Sequence, residues 1–154
     1  MIKVLNCYHC HKDFKYEMCH AGFGDEIYFY CDHCGMAASV DIYTKEMENG
    51  KFYERFYNLS TKKDFHKMKM EIIKFLKECG CGGKFTVEAT PKCPICLKEL
   101  EWNKIVDQLD KNSNMESPIP DYASKNIKKE WKDIYYFVFN NRLIRNNWNI
   151  KKFL

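Results

Sequence analysis

The chain has 154 residues and a mass of 18.5 kDa, room for one domain or two very small ones. Apolar residues at 45% and charged residues at 30% exclude a disordered or collagen-like chain, and no run of 18 apolar residues offers a transmembrane helix. Twenty-five Lys and Arg against 21 Asp and Glu leave a formal charge of +4, too weak a bias to name a nucleic-acid partner. The outlying features are nine cysteines and a 16% aromatic share, whose rings must fill much of the core.

Met1 to Asn6 contains no secretory apolar stretch before Cys7, so a reducing cytosol is the expected compartment. There, cysteines clustered at short range serve as metal ligands more often than as disulfides.

Taken in chain order, Phe14, Tyr16 and Met18 alternate with Lys15 and Glu17 and predict a strand. Gly22-Phe23-Gly24-Asp25 then turns the chain into a partner strand at Ile27 to Tyr30. A second hairpin is expected with Val40 and Ile42 on one arm, Asn49-Gly50 at the turn, and Phe52, Glu54 and Phe56 on the other arm. Ser60 or Thr61 caps a helix with Phe65, Met68, Ile72, Phe75, Leu76 and Cys79 on one face, ending near Gly80. Phe85, Val87 and Ala89 read as a short strand. Residues 97–109 fit either a strand followed by a helical turn or one helix. The stretch 110–121 is a loop, and Asp121 caps a short helix carrying Ala123, Ile127 and Trp131. Ile134 to Phe139 is a continuous apolar run, expected to be a strand buried on both faces. Asn140-Asn141 folds it back into Arg142 to Arg145 as a closing hairpin. The resulting division is 1–58, 59–78, 79–109, 110–121 and 122–154.

Cys7-Tyr8-His9-Cys10 and Cys31-Asp32-His33-Cys34 are two C-x2-C turns. Two residues between thiols let a tight turn aim both sulfurs at one ion, at roughly 2.3 Å per zinc–sulfur bond. The twenty residues between the turns suit a hairpin, so these four cysteines are expected to share one ion. Cys79-Gly80-Cys81 and Cys93-Pro94-Ile95-Cys96 form a second expected set, with Pro94 presetting φ in its turn. The glycines around Cys81 free the shorter C-x-C step to converge on the ion.

Both units resemble zinc ribbons, in which two cysteine turns sit at the ends of a β-hairpin sheet. The first resemblance spans about residues 5–45 and the second about 77–105; Cys79 and Cys81 depart from the pattern in having one intervening residue. The resemblance implies structural zinc, two ions in all; with the elements read above, the expected class is an α+β fold with two ribbons bracketing an α-helix, closed by a C-terminal helix and β-hairpin. The layout is also similar to small bacterial zinc-ribbon proteins of the toxin-immunity kind. The carriers are Cys19-His20-Ala21-Gly22-Phe23-Gly24-Asp25, the paired cysteine units and the closing aromatic segment.

Cys19, the ninth cysteine, is expected to be a small core thiol, since a catalytic thiol needs a histidine base beside it in space. His9, His11 and His33 stand beside the metal turns without being needed as ligands. No phosphate loop, G-x-S-x-G elbow or H-E-x-x-H motif occurs, and a site closed by four sulfurs leaves no position for a reactive water. The expectation is a cytoplasmic, non-enzymatic module that binds another protein, with no membrane role.

Metal loading changes the charge: four thiolates around a dication contribute −2, so two such sites bring the formal +4 to about zero. Residues 1–40 carry three Lys and five acids, whereas 116–154 carry eight basic and four acidic residues. That basic quarter supports the alternative of a nucleic-acid-binding ribbon using Lys128, Lys129, Lys132, Arg142 and Arg145. A third reading is rubredoxin-like electron transfer, because four thiolates also hold iron.

Overall fold

The computed structural model describes residues 3–20, 26–42, 52–59, 61–111 and 135–149. Its elements are strands β1 (Val4–Asn6), β2 (Asp13–His20), β3 (Glu26–Cys31) and β4 (Ala37–Asp41), then helices α1 (Phe52–Tyr57) and α2 (Lys62–Ile72). Strand β5 (Phe85–Thr86), helix α3 (Trp102–Lys111) and strands β6 (Tyr135–Phe139) and β7 (Leu143–Ile144) complete them. The class is α+β. One sheet has the order β1-β2-β6 and the other β5-β3-β4-β7.

Three cores explain why the strands are so aromatic. Ile27 and Phe29 of β3 face α2 with Val40, Met68 and Ile72. Phe14, Phe137 and Phe139 of the smaller sheet face α3 with Ile105 and Leu109. Between the two sheets lie Tyr28, Tyr30, Tyr136 and Val138. Strands β3 and β6 thus bury both faces, one against a helix and one against the other sheet, which accounts for the unbroken apolar run at 135–139.

Lys69 is buried in this arrangement. Its ammonium group lies over the rings of Phe29, Phe65 and Tyr136 and donates to the Tyr136 hydroxyl. A cation over aromatic faces recovers part of the hydration it loses.

Several expected pairings differ. Strands β2 and β3 do not form a hairpin; β2 pairs with β1 and β6, and β3 with β4 and β5. The antiparallel neighbour of β3 is reached through the Cys31–Gly35 turn, while the expected turn at Gly22 to Asp25 lies outside the described residues. Phe52 to Phe56 is helical, not a strand, because Phe52 and Phe56 also stand at i, i+4. Phe56 packs edge-on to Phe65 of α2 at 5.8 Å, and Arg55 bonds Glu71 through both guanidinium nitrogens.

Thr61 caps α2, accepting from the Asp64 amide at 3.1 Å, as the sequence suggests. The helix stops short of the cysteines, however, passing through a 3-10 turn at Ile73–Phe75 into extended chain. Leu76 bridges to Trp148, and the Lys77 amide donates to Asn147 O, so backbone pairing replaces the last helical turn. Residues 102–111 resolve as a helix.

The closing hairpin is also replaced. Asn140 and Asn141 do form a tight turn with φ of 49° and 59°, and Arg142 N donates to Phe139 O at 3.0 Å. The arms then part: β6 joins β2, and β7 joins β4 in parallel. This turn carries the chain from one sheet to the other. Of the expected loop at 110–121, Asp110 and Lys111 instead close α3, and the remainder, with the short helix expected after Asp121, lies outside the described residues. No helix among the described residues is long and apolar enough to cross a membrane.

Candidate metal centres

The eight predicted ligand cysteines gather into two groups of four, but not in the expected combinations. Cys7 and Cys10 meet Cys93 and Cys96, while Cys31 and Cys34 meet Cys79 and Cys81. The two groups are therefore nested along the chain, an inner one within an outer one. Within each group all four sulfurs lie within 4.8 Å of one another.

The local turns obey one pattern. Around Cys7 the amide of His11 donates to the Cys7 carbonyl at 2.8 Å, and Cys7 N donates to Lys12 O at 3.0 Å. The amides of His9 and Cys10 donate to the Cys7 sulfur at 3.3 and 3.4 Å. Cys93 repeats this with Leu97, Lys98, Ile95 and Cys96, and Cys31 with Gly35, Met36 and His33. The residue after the second cysteine is left-handed in each: His11 at φ 60°, Gly35 at 71° and Leu97 at 62°. The C-x-C turn is a version one residue shorter, with Gly82 at φ 92° and Cys79 N donating to Gly83 O at 3.1 Å.

Long-range contacts set the pairing. Strand β5 pairs Phe85 with Cys31, and Asp32 N donates to Lys84 O while Lys84 N donates to Asp32 Oδ1, both at 2.9 Å. This seats the C-x-C turn beside Cys31. For the outer group, Asn6 and Gln108 exchange two hydrogen bonds of 2.9 and 3.0 Å. Glu101 N donates to the Tyr8 hydroxyl at 2.8 Å, and His9 Nε2 lies 2.9 Å from Glu99 O, giving that imidazole a structural contact outside the ligand set.

The donor geometry fits a metal. A tetrahedron with metal–sulfur bonds of roughly 2.3 Å has sulfurs about 3.8 Å apart. The observed cross-turn separations are 3.7 Å for Cys7–Cys96, 3.8 Å for Cys10–Cys93, 3.5 Å for Cys31–Cys81 and 3.6 Å for Cys34–Cys79. Four sulfurs so arranged suit zinc or iron in preference to hard cations.

The sulfurs are electrically unlike. Burial pushes the Cys93 and Cys79 thiols up to about 12, and burial also raises Cys31. Burial works against ionisation of Cys7 too, but the amides of Cys10 and His9 aimed at its sulfur outweigh it and bring it to about 7. The Gly83 amide brings Cys81 to about 6. Each group thus pairs an easily ionised sulfur with a reluctant one, an arrangement completed by a cation.

Glycine is required at two places here. A Cβ on Gly83 would approach the Cys31 sulfur to 2.7 Å, and one on Gly35 would approach the Lys92 Cβ to 2.6 Å. Lys92 was not singled out in the sequence, where nothing marks it. Its ammonium donates to the carbonyls of Asp32 and His33, tying the residue before Cys93 to the turn of the inner group.

The other expected site residues fall elsewhere. Cys19 lies in the inter-sheet aromatic core, and burial raises its thiol pKa. Arg142 donates to Cys34 O at 3.2 Å and Arg145 to Glu26 at 3.3 Å, so both guanidinium groups have partners within the fold. Lys128, Lys129 and Lys132 lie outside the described residues.

No curated protein and no solved structure matches the chain. A family model described as "Domain of unknown function (DUF8255)" matches residues 3–101, a span that is most of the chain and contains all eight clustered cysteines. The chain belongs to this DUF8255 family.

Proposed function

We propose that the protein is a non-enzymatic, zinc-binding module whose two four-cysteine centres hold a protein-recognition surface in shape. The observation that supports this best is the closure of both groups: each gathers four sulfurs from two hydrogen-bonded turns, leaving no ligand position for substrate or water. The centres sit at the margins of separate cores, Cys31, Cys34 and Cys79 in the one beneath α2 and Cys7 and Cys93 in the one beneath α3. Each metal then supplies folding free energy to a core too small to stand alone. Near-neutral charge after loading favours a protein partner over nucleic acid. That this partner is a toxin rests on the resemblance to immunity proteins.

Native mass spectrometry tests the metal reading: two zinc ions per folded chain are expected, and a folded metal-free chain would overturn it. Iron would instead give a coloured, redox-active protein. Affinity capture from the source cells, repeated over a salt series, tests the partner. A protein captured stoichiometrically is the expected result, and nucleic acid captured with steeply salt-dependent affinity would overturn it.

A further inference from the structure

Cys81 stands apart among the eight clustered sulfurs. It is the exposed ligand of the inner group, whose other three members are buried, and the outer group has two buried and two half-buried ligands. Its sulfur is 3.5 Å from that of Cys31, and the surroundings of the two differ in kind. Cys31 is wedged against the Gly83 backbone. Around Cys81, a Cβ placed on Gly80 or Gly82 would meet nothing within 4 Å, so the space over these two residues of the short turn is open although Gly83 is held against Cys31.

The outer group offers no comparable entry. Cys7 and Cys93 are fully buried, and each sulfur accepts two backbone amides, from His9 and Cys10 and from Ile95 and Cys96. Cys81 accepts one, from Gly83 at 3.3 Å. Hydrogen bonds and burial both lower a thiolate's reactivity toward an oxidant, whereas exposure raises it.

We propose that Cys81 and Cys31 are a peroxide-sensitive pair, whose oxidation to a disulfide empties the inner centre while the outer centre keeps its ion. The inference rests on the metal reading above. In the first step the Cys81 thiolate attacks the O–O bond of hydrogen peroxide, giving Cys81 sulfenic acid and one hydroxide. The Cys31 thiolate then attacks the Cys81 sulfur, forming the S–S bond and expelling the second hydroxide. Both hydroxides take up protons to become water, and the two electrons lost by the sulfur pair are those gained by the peroxide. The sulfurs must close from 3.5 Å to about 2.05 Å, with Cys81 moving and Cys31 held. A centre left with two ligand sulfurs no longer retains its ion.

The test uses the full zinc-loaded chain treated with hydrogen peroxide, following zinc release with a chelating dye and mapping disulfides by peptide mass spectrometry. The expected result is release of one zinc roughly tenfold faster than the second, with a Cys31–Cys81 linked peptide appearing at the same rate. Dithiothreitol and zinc should restore the ion of the inner centre. Cys81→Ser should abolish the linked peptide; because that variant risks misfolding, the order in which disulfides appear in the parent chain decides the proposal by itself. Equal release rates from the two centres, or a first disulfide within Cys7, Cys10, Cys93 and Cys96, would overturn the proposal while leaving the metal reading standing. A starting preparation without zinc in either centre would overturn both.

Discussion

Gly35 and Lys92 are in backbone contact across the two halves of the cysteine arrangement: a Cβ on Gly35 would lie 2.6 Å from the Lys92 Cβ and 3.0 Å from its amide nitrogen. Gly35 follows Cys34 of the inner group, and Lys92 precedes Cys93 of the outer one. This contact and the Lys92 ammonium bonds to Asp32 and His33 make the two centres one mechanical unit.

Gly35→Ala should therefore be costly. The residue sits at φ +71°, where a side chain is strained by about 1–3 kcal/mol, and the clash with Lys92 adds to that. Urea denaturation of the zinc-loaded protein measures it. A loss below about 0.5 kcal/mol would show that the contact relaxes freely.

The nested pairing makes a prediction that consecutive pairing does not. Cys7→Ser with Cys93→Ser removes ligands from the outer group only, so one zinc should remain. Cys7→Ser with Cys31→Ser removes one ligand from each group and should leave none. Consecutive pairing gives the reverse outcome in the native mass spectrum.

Zinc affinity should rise with pH through the neutral range. The sign follows from which state holds the proton. In the metal-free protein the buried Cys79 and Cys93 thiols, at about 12, are protonated at pH 7 to 8, and binding must displace those protons. Each displaced proton contributes about tenfold in affinity per pH unit. Competition against a chelator of known affinity at pH 7 and pH 8 should show at least that rise for each centre, and a flat profile would contradict it.

Tyr136→Phe should destabilise the protein by about 1–3 kcal/mol, because the buried Lys69 ammonium loses a hydroxyl acceptor. Thermal or urea unfolding reads the loss directly. The cation–aromatic contacts with Phe29 and Phe65 stay in place, so the variant should still fold.

Which eight cysteines gather into groups able to hold a metal was legible in the sequence, whereas their partnership was not. A C-x2-C step specifies a half-site through local hydrogen bonds alone, so Cys7, Cys10, Cys93 and Cys96 are each visible in isolation. Which half-sites meet depends on contacts between distant residues, such as Phe85 with Cys31 and Asn6 with Gln108. Strand pairing failed to read out for the same reason. Alternation at Phe14, Tyr16 and Met18 fixes a strand but not its neighbour, and the Asn140-Asn141 turn is local whereas the divergence of its arms is not. Phe52 to Phe56 satisfies both the two-residue and the four-residue apolar period, and packing against α2 decides between them.

Nesting also bears on how the loops close. Cys34 and Cys79 are 45 residues apart, and Cys10 and Cys93 are 83 apart. If the inner crosslink forms first, the open loop left for the outer one shrinks to about 38 residues, which lowers its entropic closure cost by roughly 0.7 kcal/mol. During synthesis the last outer cysteine, Cys96, emerges after every inner one. An inner crosslink made at that stage leaves the outer one a loop whose middle is already tied.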